Sequence, residues 1–153
     1  MENLGIIEPI DFFIFNYEPR PKYPHLDPIS NILVTKFIEK NPDKYKYMGF
    51  DIPVGIAGRK LLQANDPLEF DWLKLTAKKI DVIFISDEEI LLTEVKPKLN
   101  FQTLGQILGY TILFMEKYTT KARIKPAVLF SEKDEDILEL LQKNDIETYQ
   151  IKI

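Results

Sequence analysis

The chain has 153 residues, 45% of them hydrophobic and 29% charged, which describes one globular domain with enough chain to bury a core and excludes a disordered polyelectrolyte. It has no cysteine, so disulfides and thiolate metal sites are excluded. The net charge of −4 comes entirely from residues 132–153, which hold seven acids and three lysines; the first 131 residues carry 17 of each sign, so a local basic track remains open to them.

Residues 1–28 contain five prolines and read as a Pro-rich N-terminal arm with one short apolar segment at 10–16, followed by one domain over 29–153. IDFFIF is too short to span a bilayer and has no signal-peptide flanks, so the expectation is a soluble cytoplasmic protein with no membrane partner. Asp27-Pro28 opens a helix, with Asp at the N-cap and Pro in the first turn, that stops at Asn41-Pro42. Strands are expected over 47–56 and, from the alternation in LEFDWLKL, over 68–75. IDVIFIS (80–86) and EILLTEVK (89–96) are β-rich runs joined at Asp87-Glu88, hence an antiparallel hairpin. Asn100 caps a helix over 101–118, and strand 125–130, an acidic helix 134–144 and a final strand 146–153 complete the chain. The core order is read as α-β-β-β-α-β-α-β, which keeps three of the four strands expected between the first two helices: an α/β fold with a central mixed sheet flanked by helices.

The hairpin carries the chemistry. With its turn at 87–88, paired residues have numbers summing to 175, which sets Asp81 opposite Glu94 on one face. Two carboxylates so close repel unless a cation or a shared proton lies between them. Lys96, two residues along, faces the same way, and Pro97 holds it extended and tends to end the strand. Two carboxylates suit Mg²⁺, which keeps waters and binds phosphate, and a metal-activated water with an adjacent lysine suits phosphodiester hydrolysis. The bland alternative is a surface ion pair of Glu94 with Lys96 or Lys79, worth about 0–1 kcal/mol. On the next helix, Gln102, Gln106 and Tyr110 lie near one face, beside Gly105 and Gly109, whose cost of about 1 kcal/mol each points to close approach of helix and sheet. Gln106 and Tyr110 can equally be the polar edge of a core helix packed by Leu104, Ile107, Leu108 and Leu113.

Asp81, then Glu94-Val95-Lys96 on the next strand, then Gln106-Ile-Leu-Gly-Tyr110 on the following helix, resembles the core of the PD-(D/E)xK nuclease superfamily. The Gln-x-x-x-Tyr element is similar to its RecB-type exonuclease branch, and FIEKNPD (37–43) to the first helix of NucS-like endonucleases. The resemblance spans about residues 29–131. It implies a restriction-endonuclease-like core and a metal-dependent deoxyribonuclease. Asp81, Glu94 and the main-chain carbonyl of Val95 would then hold Mg²⁺ or Mn²⁺, Lys96 would be the catalytic lysine, and Gln106 with Tyr110 would orient the site or touch the DNA backbone. The superfamily often carries a further acid on its first helix, for which Glu39 is the nearest match, although a surface glutamate explains it as well. Gly58-Arg59 looks like the family's Gly-Arg element displaced by an insertion over 59–79, and Asp71 within that insertion competes with Asp81 for the metal. Arg59, Lys74, Lys78, Lys79 and Lys98 flank the site as candidates for DNA-backbone contacts. His25 is expected as a solvated loop residue. Many members of the superfamily dimerise, so a homodimer is compatible with the resemblance. An inactive nuclease-fold module that binds nucleic acid or protein is the alternative, because fold does not dictate function.

Overall fold

A computed structural model describes Ile6 and residues 10–153. Its elements are β1 (Phe13–Asn16), α1 (Pro28–Lys40), β2 (Tyr47–Val54), α2 (Gly55–Lys60) followed by a 3₁₀ turn, α3 (Pro67–Thr76), β3 (Lys78–Ile85), β4 (Glu89–Lys98), α4 (Phe101–Lys117), β5 (Arg123–Glu132), α5 (Glu135–Lys143) and β6 (Glu147–Gln150). The six strands form one mixed open sheet in the order β1-β2-β3-β4-β5-β6. β1 to β4 are antiparallel neighbours, whereas β4, β5 and β6 are parallel. No helix among the described residues is long and apolar enough to cross a membrane.

Residues 68–75 are helical, not a strand. Asp66 caps them by accepting the Leu68 N–H at 2.9 Å, with Pro67 in the first turn. This Asp-Pro start also opens α1, where Asp27 accepts the Ser30 N–H at 2.8 Å. A local cap therefore outweighs the two-residue alternation, and no residue of α3 is buried, so no sheet face required that alternation. With this segment helical, β2, β3 and β4 are the three strands between α1 and α4.

Helices cover both sheet faces. On one side Leu33, Val34, Phe37 and Ile38 of α1 pack on Met48, Phe50, Val82, Phe84, Leu91 and Val95. On the other, Ile107 and Phe114 of α4 and Ile137 and Leu141 of α5 pack on Ile83, Ile85, Ile90 and Leu92. The alternation inverts within β2 and β3. Met48 and Phe50 belong to the α1 side, yet Ile52 and Val54 lie on the α4 side; Val82 and Phe84 face α1, yet Ile80 faces α4. The cause is Asp51, whose φ of +52° places one left-handed residue inside an extended strand. Aspartate tolerates this conformation better than most side chains.

Within the first 28 residues, the described segment from residue 10 contributes β1 and the buried Tyr23. Asp11 enters a polar knot at the C-terminal end of α4: Lys117 Nζ lies 2.5 Å from Asp11 Oδ2, and the Tyr118 hydroxyl donates to Asp11 Oδ1 at 2.7 Å. Both donors also reach the Pro53 carbonyl, at 3.2 and 3.1 Å. Burial lowers the pKa of the Lys117 ammonium, and the Asp11 carboxylate works against that shift. Phe12 beside it packs so close to β2 that a Cβ at Gly49 would lie 2.5 Å from its ring, which explains that glycine. Gly105 and Gly109 have no such reason: a Cβ at either meets nothing within 4 Å, so the expected close approach of α4 to the sheet does not occur there.

Removing one partner of a buried ion pair strands the other charge, which costs about 3–5 kcal/mol. Asp11→Ala is expected to lower unfolding free energy by about 3 kcal/mol in urea denaturation, and Asp11→Ala/Lys117→Met to recover most of the loss.

Candidate active site at the sheet fork

β3 and β4 pair through Ile85↔Ile90, Phe84↔Leu91, Ile83↔Leu92 and Val82↔Thr93, all with numbers summing to 175. Past Thr93 the strands part. β4 continues alongside β5 as far as Lys98↔Glu132, while β3 follows β2. The Val95 N–H, on the side β3 has vacated, is taken by the Asp81 carboxylate at 2.9 Å. A side chain thus replaces a lost ladder bond; the expected Asp81↔Glu94 backbone pair does not form, because the paired register ends at Val82↔Thr93, and the two residues interact through their carboxyl groups. β4 does not end at Pro97 as expected but runs to Lys98. Proline lacks an N–H, and position 97 turns to the same vacated side as Val95, so the sheet loses no bond there.

Glu94 is 1% exposed, and its Oε1 has no hydrogen-bond partner. Burial first, then the charge of Asp81 and the hydrogen bond that a protonated Glu94 carboxyl would donate to it, raise the Glu94 pKa well above the ordinary carboxylate range; Lys96 opposes this. The Lys96 ammonium lies 3.9 Å from Glu94 Oε2 and keeps 26% of its side chain exposed, so it links the buried carboxylate to solvent. The pair is not the exposed surface bridge considered as an alternative.

The α4 helix closes the site from above. Asn100 caps it through a reciprocal box with Thr103, four residues after Lys96, and its Tyr110 feels the charges of Glu94 and Asp81. The Gln106 Oε1 is buried without a partner, and Gln106 lies one turn before Tyr110, whose pKa it works to lower. Burial, then the carboxylates of Glu94 and Asp81, raise the Tyr110 pKa. One site therefore contains two buried acceptor oxygens, Glu94 Oε1 and Gln106 Oε1, with unmet hydrogen-bonding capacity.

Other candidates fall elsewhere. Glu39 is exposed late in α1, which covers the opposite sheet face, so it does not join the carboxylates. Arg59 is occupied by Glu116 at 3.3 Å and links α2 to the far end of α4. Asp71 lies on the exposed helix α3 rather than opposite Glu94. Val95 turns its side chain into the α1-side core. Lys98 is exposed at the end of β4; Lys79 is half-buried on β3.

Asp51 escaped the sequence reading. The β2–β3 register sums to 132, with Phe50↔Val82 and Ile52↔Ile80, so Asp51 lies across from Asp81. The level of the fork is thus Asp51, Asp81 and Glu94 on three adjacent strands. Burial raises the Asp51 pKa and Asp81 adds to this, while His25, Lys79 and Lys74 oppose it. His25 is 73% exposed, yet its Nε2 lies 3.0 Å from Asp51 Oδ2, so it is more than a solvated loop residue. The available signal was an acid inside the apolar strand YMGFDIPV. Among the described residues, no group of three or more His, Cys, Asp or Glu side chains is gathered to enclose a cation.

Comparison of the chain with protein-family models, curated proteins and solved structures finds no match.

The raised Glu94 pKa has a definite linkage sign. Between the ordinary unfolded value of about 4.3 and the raised folded value, the native protein keeps a proton that the unfolded chain has lost. Stability contributed by this group is therefore greatest at low pH and declines as pH rises through that window. Without divalent cations, Glu94→Gln is expected to match wild type near pH 4 and to exceed it increasingly toward pH 8, read by urea denaturation at each pH. A gap independent of pH would contradict the assignment.

Proposed function

We propose that the protein is a metal-dependent nuclease that hydrolyses DNA phosphodiester bonds. The observation that carries this reading is the fully buried Glu94, its Oε1 unpartnered, facing Asp81 across the fork with Lys96 at 3.9 Å. An uncompensated buried carboxylate costs several kcal/mol, a burden retained where the group has a task. The restriction-endonuclease-like reading of the fold draws support from β4, which joins an antiparallel half to a parallel half and carries both Glu94 and Lys96.

The donor chemistry fits Mg²⁺ or Mn²⁺, hard cations commonly bound by one or two carboxylates with water completing the shell. Asp81 and Glu94 would hold the ion, with the Val95 carbonyl as a further oxygen. When bound, it supplies a more acidic water and offsets charge on the phosphate. Lys96, extended by the backbone before Pro97, orients the attacking water and stabilises charge developing on the phosphoryl oxygens. Gln106 offers its free amide oxygen to that water, with Tyr110 one turn beyond it on α4. Burial under α4 keeps competing solvent from Glu94. Lys79 and Lys98, on the two strands that diverge at the fork, attract the DNA backbone.

The test is cleavage of plasmid and single-stranded oligonucleotide in Mg²⁺ or Mn²⁺. Wild type is expected to cleave, with Glu94→Ala and Lys96→Ala each slower by about a hundredfold or more. In parallel, Mn²⁺ is expected to raise the melting temperature of wild type and leave that of Glu94→Ala unchanged. Three equally inert proteins and no thermal shift would replace this reading with that of a non-catalytic binding module.

A further inference from the structure

A cleft of about 450 Å³ opens beside the fork, between the N-terminal segment, α3 and the β2–β3 strands. Its lining includes Phe13, His25, Asp51, Lys74, Leu75 and Lys79. That volume falls within the roughly 300–1,000 Å³ range of sites for small organic ligands. The cleft is lined by neighbours of the carboxylate pair rather than by the pair itself: Asp51 lies at the level of Asp81 in the β2–β3 register, and Lys79 precedes Asp81 by two residues on β3.

The lining combines three kinds of chemistry. Phe13 is 46% exposed and offers an open aromatic ring, with Leu75 as a second apolar wall. Lys74 Nζ lies 5.4 Å from the centre of that ring, so a positive charge and an aromatic surface share one rim. Deeper in, the Asp51 carboxylate, held by His25 at 3.0 Å, is an acceptor for N–H groups. Asp11 and Asp71 also line the cleft; the Asp11 carboxylate is committed to Lys117 and Tyr118, and Asp71 is exposed on α3. A flat ring for stacking, lysines for an anion and a carboxylate for N–H donors together match a nucleotide: base on Phe13, base edge toward Asp51, phosphate toward Lys74 and Lys79.

We infer that this cleft receives one unpaired nucleotide adjacent to the phosphate held at the fork, so that the substrate is single-stranded nucleic acid. The inference rests on the nuclease reading for the role of the fork, but the binding itself does not require cleavage. A base inside a duplex must be unstacked and unpaired before it can enter such a cleft, whereas a single strand presents its bases freely. The cleft is walled by the N-terminal residues packed on β2 and by α3.

Binding measured in EDTA separates this inference from catalysis. The probes are a fluorescein-labelled twelve-residue single-stranded deoxyoligonucleotide of mixed sequence and the same strand in a blunt duplex, followed by anisotropy at low salt. Single strand is expected to bind at least about tenfold tighter than duplex. Phe13→Ala is expected to weaken single-strand binding by about fivefold or more, the scale of one lost base–aromatic stack, with a smaller effect on duplex. Lys74→Glu is expected to weaken it similarly and to flatten its salt dependence, and Lys121→Ala, outside the cleft, to leave it unchanged. Both cleft positions are exposed, and circular dichroism verifies that the variants fold. Equal affinity for duplex, or single-strand binding indifferent to both cleft variants, overturns the inference even if the protein cleaves DNA. Free deoxyadenosine monophosphate binding as tightly as the oligonucleotide also overturns it, since the ligand would then be a small nucleotide rather than a strand. Cleft-dependent single-strand binding without cleavage supports the inference while removing the nuclease reading.

Discussion

The hydrogen bond from the Val95 N–H to the Asp81 carboxylate holds together the point where the sheet divides. β4 belongs to two systems, an antiparallel one shared with β3 and a parallel one shared with β5, and beyond Thr93 only the second continues. A strand deserted on one side exposes N–H groups that must be met by something. Asp81 meets one of them, and in doing so its carboxylate is fixed against Glu94. Pro97 removes the next donor on that side altogether. The fork is therefore a site made by local hydrogen-bond necessity, with an acid placed where a backbone carbonyl would otherwise have been.

A second constraint lies one strand away. The left-handed Asp51 reverses the facing of β2, and β3 reverses with it, since both have even-numbered residues on the α1 side before the fork and on the α4 side beyond it. This lets β3 leave β4 without exposing a buried side chain: Ile80 simply moves from one core to the other. Backbone strain of this type persists where the surroundings enforce it, and it gathers at functional positions. Here it is coupled to three acids at one level across three strands, with Lys74 and Lys79 supplying opposite charge to Asp51 and His25 Nε2 3.0 Å from its carboxylate.

The burial of Glu94 sets the electrostatic character of the site. Its carboxylate, the Asp81 charge and the low-polarity cover of α4 all disfavour ionisation, and Lys96 compensates only in part. Gln106 Oε1 is a further buried oxygen without a partner. The arrangement favours an occupant that brings positive charge and donors with it, whether a hydrated cation or a proton. This is the physical ground on which the nuclease proposal rests, apart from any likeness in motif order.

Much of the fork was readable in the residues themselves. A two-residue turn at 87–88 imposes one register on two β-rich runs, and that register holds as far as Val82↔Thr93, with Asp81 and Glu94 the next positions beyond it, where the strands have parted. Asn100 starts the next helix at a set distance, bringing Gln106 and Tyr110 over the pair. These are local rules, in which turn length, strand period and capping suffice. The strand wrongly expected at 68–75 shows their limit, since alternation and an Asp-Pro cap competed there and the cap prevailed. Asp51 needed the β2–β3 pairing, a contact between segments about thirty residues apart that no local pattern sets. The engagement of Arg59 by Glu116, the distance of Glu39 and the cleft between α3 and the N-terminal segment likewise arise only when separate elements pack. The sequence by itself determined which acids share a hairpin, because neighbours in a turn have no choice of partner; tertiary structure decided which other residues surround them, because that depends on how whole faces are buried.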